Sequence, residues 1–172
     1  MAFIKRGSLD PHGAPILRTD IISNSITITV NDSVKMASGF LALGTAGALV
    51  WGHVVSLGTI DGLPLNTTGV AGADIGTYVG TFGTSSTNQT VAKVKASVDV
   101  SKNTMYGAEL NATIATTTGS DLAGYRMDLV DEDTLDEDTA ATTTAQYATF
   151  GVDPLNSAQA LVNIYESQVF GL

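Results

Sequence analysis

Between Val91 and Val100 the chain alternates apolar and polar residues with a period of two. Ala92, Val94, Ala96, Val98 and Val100 fall on one side, and Lys93, Lys95, Ser97 and Asp99 on the other. Successive side chains of a strand point to opposite faces, so this pattern predicts one face on a core and one in water. After Ser101–Thr104 the alternation resumes: Tyr106, Ala108, Leu110, Ala112 and Ile114 share one face, Glu109, Asn111 and Thr113 the other. The two runs predict an antiparallel hairpin with a short loop.

The rest of the chain follows the same rule more weakly. Ile26, Ile28 and Val30 alternate with Ser25, Thr27 and Thr29; Tyr125, Met127 and Leu129 alternate with Arg126 and Asp128. Residues 144–150 (TAQYATF) and 160–165 (ALVNIY) are strand-like, and the high Thr content suits a pleated surface. Helical periodicity is scarce. The best candidate is a turn or two starting at Asp153–Pro154, with Asp as N-cap and Pro at the first helical position. About eight short strands separated by turn signals predict an all-β fold, a small antiparallel barrel or a sandwich. At 172 residues one domain is expected, with about 70% of the unfolded surface buried. Residues 1–20 read as an extended N-terminal arm and 21–172 as a single β domain. Within it, 58–90 is a Gly/Thr-rich loop or meander and 131–143 an acidic, Thr-rich loop.

One apolar stretch has the length of a membrane span. Residues 39–57 (GFLALGTAGALVWGHVVSL) carry no formal charge. Four glycines and His53 interrupt it, and no flanking cluster of Lys or Arg supplies an orientation signal. Two buried strands joined by a turn at Gly44–Gly47 are the better expectation, and no membrane partner is expected. The basic start Lys5–Arg6 is followed by Asp10–Pro11–His12–Gly13 and not by an apolar run, so no secretory signal is expected. The sequons at Asn31, Asn66, Asn88 and Asn111 then read as chance in a Thr-rich chain.

Composition removes several chemistries. With no cysteine there is no disulfide, thiol nucleophile or Cys-ligated metal. A net charge of −9 argues against nucleic acid as a partner. No phosphate-cradling glycine loop, nucleophile elbow or His pair at metalloprotease spacing occurs, and the sequence implies no cofactor. His12 and His53 are far apart; His53, between Gly52 and Val54, reads as a core or barrel-rim histidine, and Trp51 as core. A spatial grouping of Ser, His and Asp is not signalled by any spacing.

Two segments stand out in charge. Asp128, Asp131, Glu132, Asp133, Asp136, Glu137 and Asp138 fall within eleven residues without a Lys or Arg. A hard cation such as Ca²⁺ would use carboxylates so spaced, with Asp131, Asp133, Asp136 and Asp138 as the ligand candidates. The EF-hand pattern is broken by Leu135 and Asp136, which occupy the places of an Asp/Asn and the turn Gly. The competing reading is a solvated or partner-facing loop, since carboxylates ~6 Å apart in water repel by only about 0.7 kcal/mol per pair. Paired acids also serve glycoside hydrolysis, but aromatics are 6% of the chain and no platform for a sugar is indicated. The N-terminus is the other segment: Lys5, Arg6 and Arg18 against Asp10 make residues 1–18 basic. Pro11, Gly13 and Pro15 favour extended chain. It reads as a frayed end or as an arm that lies on a partner.

In residues 1–19 (MAFIKRGSLDPHGAPILRT), 120–133 (SDLAGYRMDLVDED) and 144–156 (TAQYATFGVDPLN), the chain resembles the head decoration, or cement, proteins of tailed bacteriophages. The resemblance is one of style over most of the length and carries no diagnostic motif. It implies a β-barrel or β-tulip body, a homotrimer, and a place on the outer surface of a virion assembled from proteins made in the host cytoplasm. The partner would be the major capsid protein, whose subunits it would bridge. The arm residues Phe3, Ile4, Lys5, Arg6, Ile16 and Arg18 would then be the capsid contacts. With 15% charged residues and a mean hydropathy of +0.20, apolar or Thr-rich surface should be left for neighbours to cover. The rivals are another virion part, from the tail or a minor capsid component, and a cation-dependent carbohydrate-binding β-sandwich using the acidic run.

Overall fold

The computed structural model describes residues 3–10, 14–23, 26–59, 69–71, 75–82, 85–92, 94–111, 123–136 and 145–165. In chain order the strands are β1 (Ile4–Ser8), β2 (Leu17–Ile21), β3 (Thr27–Thr29), β4 (Ser33–Ala37), β5 (Phe40–Leu43), β6 (Gly52–Thr59), β7 (Gly69–Ala71) and β8 (Ile75–Phe82). They continue as β9 (Ser85–Ala92), β10 (Val94–Asp99), β11 (Thr104–Leu110), β12 (Arg126–Leu129), β13 (Thr134–Asp136), β14 (Tyr147–Asp153) and β15 (Asn156–Ile164). The fold is all-β, as the alternation predicts, and no helix occurs among the described residues.

The strands sort into two units, each wrapped around its own core. In the first, hydrogen bonding runs β2-β10-β6-β4-β5, and the parallel bridge Ile22↔Leu41 draws β5 back toward the end of β2. The interior of this N-terminal barrel is aliphatic: Ile22, Ile28, Val34, Leu41, Val54, Leu57, Ala96, Val98 and Val100. In the second unit the pairings β11–β13–β12–β14–β15 return to β11, so the ring is closed. Its core adds aromatics: Phe3, Tyr106 and Tyr147 pack with Met127, Leu129, Leu135, Val162 and Ile164. The strand β1 is an addition to this C-terminal barrel, paired to the β11 edge that β13 leaves open.

Alternation fixes faces but not partners. Ala96, Val98 and Val100 do point to a core, as do Tyr106 and Ala108, but β10 and β11 are not a hairpin. The chain leaves one barrel after β10 and enters the other at β11. Asp99 directs that crossing: its carboxylate accepts from the Ser101 backbone N–H at 3.0 Å and from the Thr104 hydroxyl at 3.0 Å. The apolar runs of 39–57 likewise form β5 and β6, but β4 lies between them. The β4–β5 hairpin has the two-residue loop Ser38–Gly39, both at positive φ (50° and 86°), whose twist matches the flanking strands. Asp153–Pro154 begins a hairpin turn and not a helix. The Asp153 carboxylate accepts from the Leu155 N–H at 2.9 Å, the same short-range bond an N-cap would make. The 58–90 stretch contains β7, which pairs with β3, and a long β8–β9 hairpin.

The barrels meet along a polar seam. Ser33 N–H donates to the Glu132 carbonyl at 2.7 Å. Gly47 N–H donates to both Asp128 carboxylate oxygens at 3.0 Å. The Gln146 side-chain amide donates to the Thr45 carbonyl at 2.9 Å and to that of Ala48. Charge is divided between the two parts of the chain. Residues 1–102 hold seven Lys/Arg against six Asp/Glu, a net of +1, whereas residues 103–172 hold Arg126 against eleven acids, a net of −10.

Candidate functional site

The segment expected to be a separate arm is built into the body. Its first strand pairs antiparallel with β11, Lys5 opposite Tyr106 and Gly7 opposite Met105. Phe3 is fully buried, stacked on Tyr147 at 4.9 Å and 4.5 Å from the His53 ring. Burying a Phe contributes about 2–3 kcal/mol, enough to hold a short strand that would otherwise fray. Between Lys5 and Gly7 the register slips by one residue, so Arg6 is bulged out of the ladder. Its guanidinium crosses over Gly107, donates to Asp153 Oδ2 at 2.6 Å, and reaches Gln159 Oε1 at 3.1 Å. Gly107 is required there, because a Cβ would collide with the Asp153 carboxylate and the Arg6 side chain. Lys5 Nζ sits 3.3 Å from the buried Asp99.

The six proposed arm contacts therefore divide. Phe3 is core, and Lys5 and Arg6 are committed to acids of the same chain, so the open-arm expectation is corrected for β1. Ile4 is half-buried. Ile16 and Arg18 face outward, though Ile16 N–H donates to Ser101 Oγ at 2.6 Å. Arg18 lies 5.2 Å over the Trp51 ring, whose Nε1–H donates to Asp20 at 3.1 Å. Trp51 is thus a half-buried rim residue with polar partners, packed on the edge of a core.

A Ser–His–Asp row does form, unsignalled by any spacing. Ser33, His53 and Asp99 are register partners across β4, β6 and β10. All three are buried where the N-terminal barrel meets the aromatics of the other. The contacts are not those of a nucleophile and its base. Ser33 Oγ bonds the Tyr147 hydroxyl at 2.8 Å, and that hydroxyl bonds His53 Nε2 at 2.9 Å, so tyrosine separates serine from histidine. Among the described residues His53 Nδ1 finds no hydrogen-bond partner, and burial pushes the imidazole down to about 3, a neutral ring at physiological pH. Burial pushes the Tyr147 and Tyr106 hydroxyls well above the usual tyrosine range. Burial alone would raise Asp99, but hydrogen bonds from Ser101 and Thr104 and the Lys5 ammonium outweigh it and hold the carboxyl below its ordinary value. These groups form a fixed polar core that aligns the two barrels.

The acidic loop spans the other end of the seam. Asp131 Oδ1 accepts from Asp133 N–H at 3.2 Å, Thr134 Oγ1 donates to Asp133 Oδ1 at 2.8 Å, and Asp136 closes β13. Asp138 lies outside the described residues. Among the described residues, no three metal-ligating side chains gather in one place. Instead the loop faces Asp32, a buried carboxyl on the β3–β4 turn. Burial, reinforced by Glu132, Asp133 and Asp131, raises it to about 7 against the bond from Thr29 N–H.

The outer surface carries large apolar side chains: Leu155 is 76% exposed, Leu17 54%, Tyr125 50%, and Val130 and Leu9 47% each. A cleft of 560 Å³ lies between Ala14–Ile16 and the crossover Ser101–Thr104, with Lys5, Ser8 and Asp10 on its walls. Neither the Arg6–Asp153 pair, 147 residues apart, nor Tyr147 as the hub of the buried cluster carries a sequence signal. Compared with protein-family models, with curated proteins and with solved structures, the chain finds no match.

Proposed function

We propose that this chain is a structural component of a phage particle, a decoration protein that stabilises a capsid by bridging subunits of its major capsid protein. The observation that carries the reading is the division of its side chains. Asp99 and Asp153 pair with Lys5 and Arg6, and the Tyr147 hydroxyl bonds Ser33 and His53, while Leu155, Leu17, Tyr125, Val130 and Leu9 stand in water. Side chains so placed favour docking of surfaces over turnover of a small molecule. The capsid as partner follows from the resemblance of residues 1–19, 120–133 and 144–156 to cement proteins. Many weak contacts repeated over a lattice give high avidity without a reactive group in any one of them. The reading assigns the protein no catalytic step, no cofactor and no nucleic acid.

The experiment is reconstitution. Purified protein is added to expanded shells that lack it, and binding and shell melting are followed. Saturable binding with a raised melting temperature is expected. No binding and an unchanged melting temperature would refute the capsid reading. A label found on the tail in electron micrographs would move the protein to another part of the virion.

A further inference from the structure

We infer that the tip of the β12–β13 hairpin, residues 130–133, is a proton-operated latch between the barrels. It seats on the β3–β4 turn while the buried Asp32 carboxyl holds a proton, and lifts off once that proton has left. The geometry begins with the turn. Asn31, at a φ of 82°, bends the chain there, and Asp32 is 5% exposed, its Oδ2 accepting from the Thr29 N–H at 2.7 Å. A backbone bond from Ser33 N–H to the Glu132 carbonyl, at 2.7 Å, sets the acidic tip against that turn. Asp131, Glu132 and Asp133 are the charged groups that act on Asp32, and each of them is an acid. The other elements around the turn bring no cation to it. The strand β7, paired with β3, is Gly-Val-Ala. The strand β6 meets the turn through the Val54 backbone, which bonds Asn31 and Asp32, while His53 is turned to Tyr147. Lys35, on β4, donates to Thr45 Oγ1 at 2.6 Å.

A buried carboxylate that faces three others is strongly unfavourable. The seated tip therefore holds the Asp32 proton more tightly than the lifted tip, which leaves that carboxyl to water. By linkage, a rise in pH that strips the proton weakens seating by the same factor. Burial and the three acids raise the seated carboxyl to about 7 from an ordinary 3.8, so seating weakens between those values. The tip is also built to move alone. Leu129 and Leu135, 1% and 0% exposed, anchor its two ends in the C-terminal core, and Val130 N–H bonds the Thr134 carbonyl at 2.9 Å to keep the hairpin. Val130 is 47% exposed and Asp131 is exposed beside it, so lifting uncovers little apolar surface. The Gly47–Asp128 and Ser33–Tyr147 bonds hold the rest of the seam together.

The test reads the Ser33 amide by hydrogen exchange across about pH 5 to 8, each rate taken against that of a free peptide. A single-proton latch predicts that its protection falls by up to about tenfold per pH unit toward pH 7 and levels off above it. The Asn31 and Val54 amides, bonded within the N-terminal barrel, should keep theirs. Asp32→Asn retains an acceptor for the Thr29 N–H and removes the charge, so Ser33 protection should become independent of pH. Glu132→Gln, a change confined to the tip, should end the fall at a lower pH. Added Ca²⁺ or a chelator should alter neither profile. Three outcomes overturn the latch: Ser33 protection that is flat in the unaltered protein, that falls in step with Asn31 and Val54, or that keeps its slope in Asp32→Asn. A slope that Ca²⁺ abolishes also overturns it, since the tip would then answer a cation and not a proton.

Discussion

The two barrels solve the same packing problem with different materials. The N-terminal barrel holds an aliphatic core, lies in a part of the chain with a net of +1, and is drawn together at one end by the Ile22↔Leu41 bridge. The C-terminal barrel closes fully, carries the acidic end of the chain, and buries the aromatic rings of Phe3, Tyr106 and Tyr147. Its stability therefore depends on charges and polar contacts brought from outside the ring. Lys5 and Arg6 come from β1, and His53 and Ser33 from the neighbouring barrel. An aliphatic core tolerates change in proportion to volume, whereas one that relies on buried pairs fails when a single partner is lost.

Mutations can break that comparison. Asp153→Ala should have the largest effect, about 3–5 kcal/mol by chemical denaturation, because it strands a guanidinium that is four-fifths buried. A loss below about 1 kcal/mol, the range of a surface pair, would show that water reaches the pair. Phe3→Ala should cost about 3–5 kcal/mol and Leu41→Ala about 2–5 kcal/mol. If the barrels unfold in separate steps, calorimetry should show each substitution lowering a different transition. Movement of one shared transition by both would make the seam as strong as the cores.

The seam itself is sharpened by pH. Asp32 has a folded-state value near 7, above the ordinary 3.8, so folding favours its protonated form. Its contribution is complete below about pH 4 and is lost as pH rises through about 7. With screening by water at the seam, the loss should be on the order of 1–2 kcal/mol, about 2–8 °C in melting temperature. Asp32→Asn should flatten the profile between pH 5 and 8; an unchanged slope would place the titration elsewhere. Asp99 works in the opposite sense, its contribution being lost only as pH falls below the ordinary carboxylate range. The smallest effect should be Gly39→Ala, about 1 kcal/mol, because the β4–β5 loop needs a positive φ there.

What was legible in the sequence was the local part of the fold. Side-chain alternation gave the inward faces of β10, β11 and β12, with Ala96, Val98, Tyr106, Met127 and Leu129 in cores. Pairing was not legible, because a strand's pattern says which face is dry and nothing about which edge meets which neighbour. Ser101–Asn103 looks like a hairpin loop until Asp99 takes its hydrogen bonds from Ser101 and Thr104 and turns the chain into the other barrel. At Asp153 the local chemistry is legible and the element is not, since one side-chain bond to an N–H two residues on serves a turn as well as a helix start. The basic N-terminus reads as a frayed end or as an arm on a partner. Its acidic partners are Asp99 and Asp153 of the same chain, at separations no local window contains.

The acidic barrel depends on β1 being held firmly against β11. Amide hydrogen exchange tests this directly. The β1 amides bonded to β11 should be protected about as strongly as the central amides of β11, and protection should fall in step with the Arg6–Asp153 pair when Asp153 is replaced. Exchange of Ile4–Ser8 at the rate of an unstructured peptide would contradict it.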